Sequence, residues 1–349
     1  MAGKSNGLRV KSRDGEEVKE VLLSSGLLDT GKRVSRCGDY VFFPVTEEKI
    51  DLNGLGISGE LVRRDFDELR RRPRDIREAL SSVLRGPELS LVGSSYDIIG
   101  RIAVIELAGE LQARAGDIGA ALLRWLPVDT VAMKTSPTSG EGRVRGLRVI
   151  AGSETLETVH VENGLRFKLD LSRVFFNPRL SGERSRVARS CCEASTIIDM
   201  FAGVGSFSVS IDRDCPGKGP VIIAIDSNPH AYGCLVENVQ LNRAWKIKPV
   251  LGDSMEEVPR IAGEVGRVDR IIMNLPKDSH RFLGIAAEAL EESGVVHYYR
   301  LLPREGAREL VEGELSRHGK FRVEVFREVE GYSPSRSIYV ADSRLLART

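Results

Sequence analysis

The stretch IDMFAGVGSF, residues 198–207, passes from apolar residues through two glycines into a helical pattern. Glycines at such a turn allow tight backbone geometry and let a ligand approach the main chain closely. A strand, glycine loop and helix in this order hold the nucleotide part of a cofactor at the switch point of an open sheet. The stretch therefore predicts a Rossmann-like α/β domain that binds a nucleotide-containing cofactor.

The spacing of the two glycines separates two kinds of cofactor. A dinucleotide loop requires a third Gly or Ala three residues after the second glycine, and Ser208 stands there. The loop therefore favours S-adenosylmethionine over a nicotinamide dinucleotide. The residues that we assign to cofactor binding in this stretch are Asp199, Phe201, Gly203 and Gly205.

Acidic residues end the next two predicted strands. Asp226 follows the glycine loop by about 20 residues, the spacing at which an acid accepts both ribose hydroxyls. Its alternative role is to cap the helix that begins near Pro229. Asp253 ends the third strand and is placed to meet the adenine amino group. Both acids are predicted to bind the cofactor.

A loop of sequence Asn274-Leu275-Pro276-Lys277 ends the fourth predicted strand. Amino-methyltransferases carry an Asn/Asp-Pro-Pro-aromatic loop here, which aligns the target nitrogen with the methyl group. This loop is a variant with one proline and no following aromatic residue. It indicates a planar nitrogen as the target, but it departs from the loop pattern of enzymes that methylate exocyclic amines. Asn274 and Pro276 are accordingly predicted at the site, with a plain strand-ending turn as the alternative.

Strands and helices alternate throughout residues 176–349, which predicts a mostly parallel, doubly wound sheet. Two further strands at the end, Phe321–Glu330 and Ile338–Leu345, have no helix between them. An antiparallel hairpin of this kind closes the sheet of class I methyltransferases. The other predicted strands are Thr196–Met200, Val221–Asp226, Lys248–Leu251, Arg270–Asn274 and Val295–Leu301.

Two small α+β domains are predicted before this catalytic domain. Residues 1–62 form a β-α-β-β module, and the arginine-rich stretch Arg63–Arg77 is its exit and linker. Residues 75–175 mix helix and strand, with one strand candidate at Ile98–Leu107. Thr158–Leu171 is predicted to form a hairpin that turns at Asn163-Gly164, because Asn-Gly favours a tight turn.

Composition excludes several other classes of protein. The 51 basic residues balance 50 acidic ones, so only local arginine clusters suggest nucleic-acid binding, and the alternative, which the pattern alone favours slightly, is a solvated helix face with ion pairs. No apolar run is long enough to span a bilayer, and the N-terminus is polar. The five cysteines and five histidines show neither disulfide nor metal-site spacing. We therefore expect a cytoplasmic protein with free thiols, no metal and no membrane partner.

The segment FFNPRLSGER, residues 175–184, precedes the catalytic sheet. Its Glu183-Arg184 pair is either an ordinary pair on a helix face or the base and cation of a transfer site, and the pattern leaves both open.

Several segments in register resemble the archaeal and eukaryotic tRNA (guanine-37-N1)-methyltransferase family. The similarity covers nearly the whole chain, including VKEVLLSSGLLD and GDYVFFPV near the N-terminus and SYDIIGRIAVIEL in the middle. In the catalytic half it rests on LETVHVENGLRFKLDLSRVFFNPRLSGERSRVA, IDMFAGVGSFS, AIDSNPHA, IIMNLPK and GVVHYY. The resemblance implies methylation of guanine N1 at position 37 of tRNA, with S-adenosylmethionine as the methyl donor.

The resemblance also implies roles for individual residues. Glu183 matches the general base, Arg143 the arginine against guanine O6, and Asn274 the residue that positions the guanine. Arg179 and Arg184 match positions near the cofactor and site. The implied partner is tRNA, contacted at the anticodon loop by the catalytic part and at the outer corner by residues 1–62. We expect a monomer.

Three departures from the family pattern concern substrate preference and remove no catalytic group: Phe175, Ser206 and Ser279 stand where Tyr, Pro and Ala are common. Three alternative functions remain at this stage. They are aminocarboxypropyl transfer in the wyosine pathway, a second methylation of a wyosine precursor, and tRNA binding without catalysis. The Asn274-Leu275-Pro276 loop favours methyl transfer over the first.

Overall fold

The computed structural model of the chain describes residues 5–67, 73–93, 96–135 and 146–348. It divides into two compact units, Met1–Arg74 and Asp75–Thr349, and each is described by itself. Arg143 and the predicted loop at 137–142 lie outside the described residues.

The first unit is an antiparallel sheet with one helix packed on it. The strand order is β2-β3-β1-β4, and Leu8 and Phe43 of the sheet form a buried core with Val18 and Leu22 of the helix. Its elements are β1 (Ser5–Lys11), α1 (Gly15–Ser24), β2 (Ser35–Cys37), β3 (Tyr40–Pro44) and β4 (Gly59–Arg64).

The last of these strands corrects the sequence analysis. Arg63 and Arg64 were assigned to a linker, but they end β4, which pairs with β1 along the edge of the sheet. The interpretation was wrong because polar and charged residues on an edge strand resemble a charged linker in sequence. The module is therefore β-α-β-β-β and extends to Arg64.

The second unit begins with a four-stranded sheet of order β5-β6-β7-β8 and a hairpin, β9-β10. The predicted strand Ile98–Leu107 is in fact two strands, because Gly100 takes a positive φ of 57° and turns the chain. The hairpin is confirmed, and Asn163 and Gly164 form its turn with φ of 49° and 78°. The elements are α2 (Ile76–Leu80), α3 (Pro87–Ser90), β5 (Tyr96–Ile99), β6 (Ile102–Ile105), α4 (Ala115–Trp125), β7 (Thr130–Lys134), β8 (Leu147–Gly152), β9 (Glu157–Glu162) and β10 (Leu165–Asp170).

A seven-stranded sheet of order β13-β12-β11-β14-β15-β17-β16 forms the rest of the second unit. The first five strands are parallel, and β17 and β16 close the sheet as an antiparallel hairpin, which confirms the predicted class I methyltransferase fold. Its strands are β11 (Thr196–Asp199), β12 (Val221–Asp226), β13 (Ile247–Leu251), β14 (Val268–Met273), β15 (Leu290–Pro303), β16 (Lys320–Ser333) and β17 (Arg336–Ala347). Its helices are α5 (Ser181–Ser190), α6 (Ser206–Asp214), α7 (Pro229–Asn242), α8 (Ser254–Val265), α9 (Leu283–Ala289) and α10 (Ala307–Leu315).

The β9-β10 hairpin is fixed to the large sheet through α7. The Asn238 side chain accepts a hydrogen bond from the Lys168 backbone nitrogen at 2.7 Å, and Asn242 accepts one from Arg166 at 2.9 Å. Phe167 of the hairpin lies in the same buried cluster as Ile197 of β11. The hairpin and the sheet therefore share one hydrophobic core.

Two cysteines correct the expectation of free thiols. Cys192 and Cys215 form a disulfide between the C-terminal ends of α5 and α6, where their Cα atoms lie 4.8 Å apart. Such a pair depends on how the two helices pack, which the spacing of cysteines in a sequence does not reveal. No helix in the described ranges is long and apolar enough to cross a membrane, and no cluster of metal-ligating side chains occurs in them.

Candidate active site

The glycine loop between β11 and α6 needs its two glycines for different reasons. Gly203 and Gly205 have φ of 56° and 85°, a region that favours glycine. A Cβ atom on Gly205 would lie 2.4 Å from Leu235 Cδ1, so helix packing excludes a side chain there. A Cβ atom on Gly203 would meet no protein atom within 4 Å. The backbone at Gly203 therefore borders open space that a ligand can enter.

Asp226 lies at this loop. Its Oδ2 atom accepts a hydrogen bond from the Gly203 backbone nitrogen at 2.7 Å, and its Oδ1 atom accepts one from Asn228 at 2.9 Å. The Asn228 side chain caps α7 by accepting from His230, so the alternative role of Asp226 as the cap is wrong. Asp226 is thus held at the edge of the open space beside the glycine loop.

Asp253 is exposed and caps α8, accepting a hydrogen bond from the Met255 backbone nitrogen at 2.8 Å. Its predicted contact with adenine stays a prediction.

Asp199, at the end of β11, is a buried acid beneath the glycine loop. One carboxylate oxygen accepts a hydrogen bond from Ser208 at 2.8 Å, whereas Oδ1 has no hydrogen-bond partner among the described residues. Burial raises the pKa of Asp199 to about 7. A buried acceptor without a partner needs a donor. It fits the ammonium group of S-adenosylmethionine, and so the residues present fit this cofactor.

The loop that follows β14 is held in a fixed conformation. The carbonyl oxygen of Pro276 accepts hydrogen bonds from the Leu301 backbone at 2.8 Å and from Arg300 at 3.1 Å. Arg300 is itself paired with Glu314 at 2.7 Å. The Asn274 carboxamide, in contrast, has no hydrogen-bond partner among the residues that the structure describes. It is therefore available to a substrate.

Glu183 on α5 is almost completely buried, with 1% of its side chain exposed. Its Oε1 atom accepts hydrogen bonds from the Tyr299 hydroxyl at 2.7 Å and from Arg186 Nη2 at 2.8 Å. Its Oε2 atom accepts from Arg186 Nε at 3.0 Å and from Arg327 Nη2 at 2.6 Å. Burial opposes ionisation, but these donors and cations outweigh it and hold the pKa of Glu183 below its ordinary value.

A second carboxylate supports this arrangement. Asp342 on β17 accepts a hydrogen bond from Arg186 Nη1 at 2.5 Å and lies 2.7 Å from His297 Nδ1. His297 is fully buried, and the charge of Asp342 outweighs that burial and raises the pKa of His297 to about 9. His297, Asp342, Arg186 and Glu183 thus form one chain of alternating charge, in which only Arg186 is partly exposed.

Two arginines that were assigned to the cofactor form ion pairs within the protein. Arg179 is 2.8 Å from the buried Asp97 of β5. Arg184 is 2% exposed and makes a bidentate ion pair with Glu162 of β9. The first pair joins the turn before α5 to β5, and the second joins α5 to β9. The cofactor contacts of these arginines stay predictions. Asn274, Glu183 and the glycine loop remain the candidates with free or reactive groups.

The sequence analysis missed the partners of Glu183. Arg186 lies three residues further along the same helix, a spacing that brings two side chains together, and so it was predictable in principle. Tyr299 belongs to the quoted segment GVVHYY, in which a polar Tyr and a His interrupt an apolar strand. Arg327 and Asp342 are far away in sequence, and no local signal points to them.

Family profiles match three successive segments of the chain. Residues 7–52 match the tRNA methyltransferase 5 N-terminal domain and residues 76–155 the TYW2 N-terminal domain. Residues 158–321 match the TRM5/TYW2 methyltransferase domain.

Curated relatives and solved structures agree with these profiles. The chain is 39% identical over 300 residues to a Pyrococcus abyssi protein named tRNA (guanine(37)-N(1))-methyltransferase Trm5b, which covers 85% of this chain and 84% of that one. It is 33% identical over 239 residues to the tRNA(Phe) (4-demethylwyosine(37)-C(7)) aminocarboxypropyltransferase of Pyrococcus horikoshii. That alignment covers 67% of this chain and 82% of the relative. A solved complex structure of aTrm5 and tRNALeu superposes with a TM-score of 0.83 and 32% identity, covering 97% of this chain and 99% of that one.

The strand order, the glycine loop and the acids at the strand ends define a class I methyltransferase that uses S-adenosylmethionine. Within that class, the chain belongs to the tRNA (guanine-37-N1)-methyltransferase family, part of the wider TRM5/TYW2 group.

Proposed function

We propose that this protein transfers the methyl group of S-adenosylmethionine to N1 of guanine 37 in tRNA, with Glu183 as the general base. The observation that carries the proposal is the buried carboxylate of Glu183, kept ionised by Arg186 and Tyr299. Tyr299 also packs its ring 5.9 Å from that of Phe207, in the first turn of the helix after the glycine loop. Tyr299 therefore contacts both the proposed base and the helix that follows the glycine loop.

The chemistry requires a base because guanine N1 carries a proton. Glu183 accepts that proton, which frees the N1 lone pair for attack on carbon. When bound, S-adenosylmethionine supplies the electrophilic methyl group. We assign Asn274 to hold the edge of the guanine, since its carboxamide both donates and accepts hydrogen bonds. We also keep Arg143 as the proposed partner of O6.

The first unit offers a surface suited to nucleic acid. On the sheet face away from α1, the guanidinium of Arg9 lies 4.9 Å from the centre of the Tyr40 ring, and that of Arg64 lies 4.2 Å from the Phe42 ring. Aromatic rings interleaved with arginines bind nucleobases and phosphates. This supports the proposal that the N-terminal domain contacts the outer corner of tRNA while the catalytic domain holds the anticodon loop.

Our division into three domains, at 1–62, 75–175 and 176–349, also stays a proposal, except that the first domain includes all of β4 and so extends to Arg64. A monomeric state and a cytoplasmic location stay proposals as well.

Mass spectrometry of nucleosides from treated tRNA tests the activity. Protein and S-adenosylmethionine should add one methyl group to G37 of an unmodified transcript and none to a transcript with adenine at that position. Transfer of the heavier aminocarboxypropyl group would contradict methylation and favour the activity named for the Pyrococcus horikoshii relative. A parallel reaction on tRNA that carries a wyosine precursor tests the second methylation.

A further inference from the structure

The two oxygens of Glu183 are covered by partners of different mobility. Tyr299 and Arg186 contact Oε1, whereas Arg186 and Arg327 contact Oε2. A general base must reach hydrogen-bond distance of the proton that it takes. Because only 1% of the Glu183 side chain is exposed, one of these partners has to move before a guanine can reach the carboxylate.

Two of the three partners are fixed. Tyr299 is fully buried, and its ring packs against Phe207. Arg186 contacts both oxygens of Glu183 and is anchored on its other side by Asp342, which His297 holds in turn. Withdrawing Arg186 would take one cation away from two buried carboxylates at once, which is strongly unfavourable.

Arg327 has the opposite character. It lies on β16 with 43% of its side chain exposed, and within the described part of the chain Glu183 is its only ionic or hydrogen-bonding side-chain partner. Because the Arg327 guanidinium is partly solvated and Glu183 keeps its contacts with Arg186 and Tyr299, separating this pair costs less than withdrawing Arg186. Arg327 is therefore the partner that can leave, and its departure uncovers Oε2.

We propose that Arg327 covers the Oε2 atom of Glu183 in the free enzyme and moves to the entering nucleotide, so that Oε2 is the atom that accepts the guanine N1 proton. The N1–H bond breaks and an O–H bond forms at Oε2, while Arg186 and Tyr299 hold the carboxylate in place. The freed guanidinium contacts the anionic nucleotide. This inference rests on the proposed function of Glu183.

The test compares Arg327→Met with Arg322→Met, a control on the same strand whose arginine is exposed and paired with Glu324. Methyl transfer to G37 is measured against pH, both as kcat/KM for tRNA and as the single-turnover rate at saturating tRNA. The first quantity reports ionisation in the free enzyme and the second in the complex. Melting temperatures confirm that both variants fold.

The charged and titratable groups that face Glu183 are Arg186 of its own helix, Tyr299 of β15 and Arg327 of β16, with Asp342 of β17 behind Arg186. Removing the Arg327 cation weakens the ionised form of Glu183 in the free enzyme. We therefore expect the acid limb of kcat/KM to move up by about one pH unit in Arg327→Met. The acid limb of the saturated rate should stay where it is, because Arg327 has already left in the complex. Arg322→Met should match the parent in both.

A common shift of both limbs would overturn the proposal, because Arg327 would then stay on Glu183 during transfer. No shift in either limb would overturn it as well. Failure of the proposed function is a separate result: Glu183→Gln would then transfer methyl groups as fast as the parent. An inactive Glu183→Gln together with unshifted limbs in Arg327→Met would reject only the role of Arg327.

Discussion

The carboxylate of Asp226 lies 2.7 Å from the backbone nitrogen of Gly203, so the acid at the end of β12 is joined directly to the cofactor loop after β11. This hydrogen bond fixes the distance between the predicted ribose acceptor and the glycine that borders open space. Asp226 therefore has two separable effects, one on the conformation of the loop and one on the ribose.

We predict that Asp226→Ala weakens S-adenosylmethionine binding by about 1–3 kcal/mol, because the ribose diol loses a charged acceptor. Calorimetry measures the change. Asp269→Ala is the matched control, since Asp269 also accepts backbone hydrogen bonds, from Ser195 and Thr196, but at the opposite end of β11. An unchanged dissociation constant for Asp226→Ala would show that this acid only shapes the loop.

Replacing the proposed base should separate binding from transfer. Glu183→Gln keeps the size of the side chain but cannot take a proton, so we expect a single-turnover rate about 100-fold lower or more, with cofactor affinity preserved. Glu324→Gln, an exposed acid paired with Arg344, should leave the rate unchanged. Equal single-turnover rates for Glu183→Gln and the parent at neutral pH would show that Glu183 is not the general base.

The buried pair of His297 and Asp342 predicts a loss of stability in alkali. The pKa of folded His297 is raised from 6.5 to about 9, so its contribution is complete below about pH 6.5 and is lost as the pH rises through about 9. Arg270 and Cys191 also face the ring. The melting temperature should therefore fall between pH 7 and pH 10.

Asp342→Asn should remove most of that alkaline fall and lower the stability at pH 7 by about 3–5 kcal/mol, the scale for removing one partner of a buried ion pair. His280→Asn, a substitution at an exposed histidine, should melt with the same pH dependence as the parent. If the melting temperatures of the parent and of Asp342→Asn fell equally steeply with pH between pH 7 and pH 10, His297 would not titrate in this range.

Removal of the first unit tests its predicted role in tRNA recognition. The cut belongs after Arg74, because ending it at residue 60 would leave most of β4 without its sheet. We expect unchanged S-adenosylmethionine binding and a drop of roughly tenfold or more in kcat/KM for full tRNA, equivalent to about 1.4 kcal/mol.

An anticodon stem-loop should lose much less on the same deletion, because it does not reach the outer corner. Tyr40→Ala in the full chain should reproduce part of the defect without any deletion. Loss of cofactor binding on truncation would mean that the first unit supports the catalytic core.

Local patterns in the sequence predicted most of the catalytic fold. The glycine loop, the acid that ends β12 and the turn at Asn163-Gly164 each depend on backbone conformations that few residue types adopt, so they were readable directly. Helices α5 and α8 were not predicted, since α5 is rich in arginine and α8 contains Pro259. The amphipathic pattern of α5 is weak, whereas that of α8 is pronounced and was readable despite the proline.

Long-range pairing limited the prediction of the site. Glu183 was assigned from its resemblance to a family base, but its environment depends on residues from three strands of the C-terminal part. Arg179 and Arg184 were assigned to the cofactor because they match family positions near the cofactor and site. In the structure they form ion pairs with Asp97 of β5 and Glu162 of β9. A contact between elements that are remote in sequence leaves no periodic signal in either one.

The disulfide between Cys192 and Cys215 encloses the chain from the start of β11 to the end of α6, and the whole glycine loop lies inside this covalent ring. A protease that cuts once within the ring therefore releases no fragment until a reductant is added. On a non-reducing gel the nicked protein should run near full length, and with reductant it should separate into two pieces. The segment that carries the glycine loop is thus a closed macrocycle, whose ends stay together even when the fold around it opens.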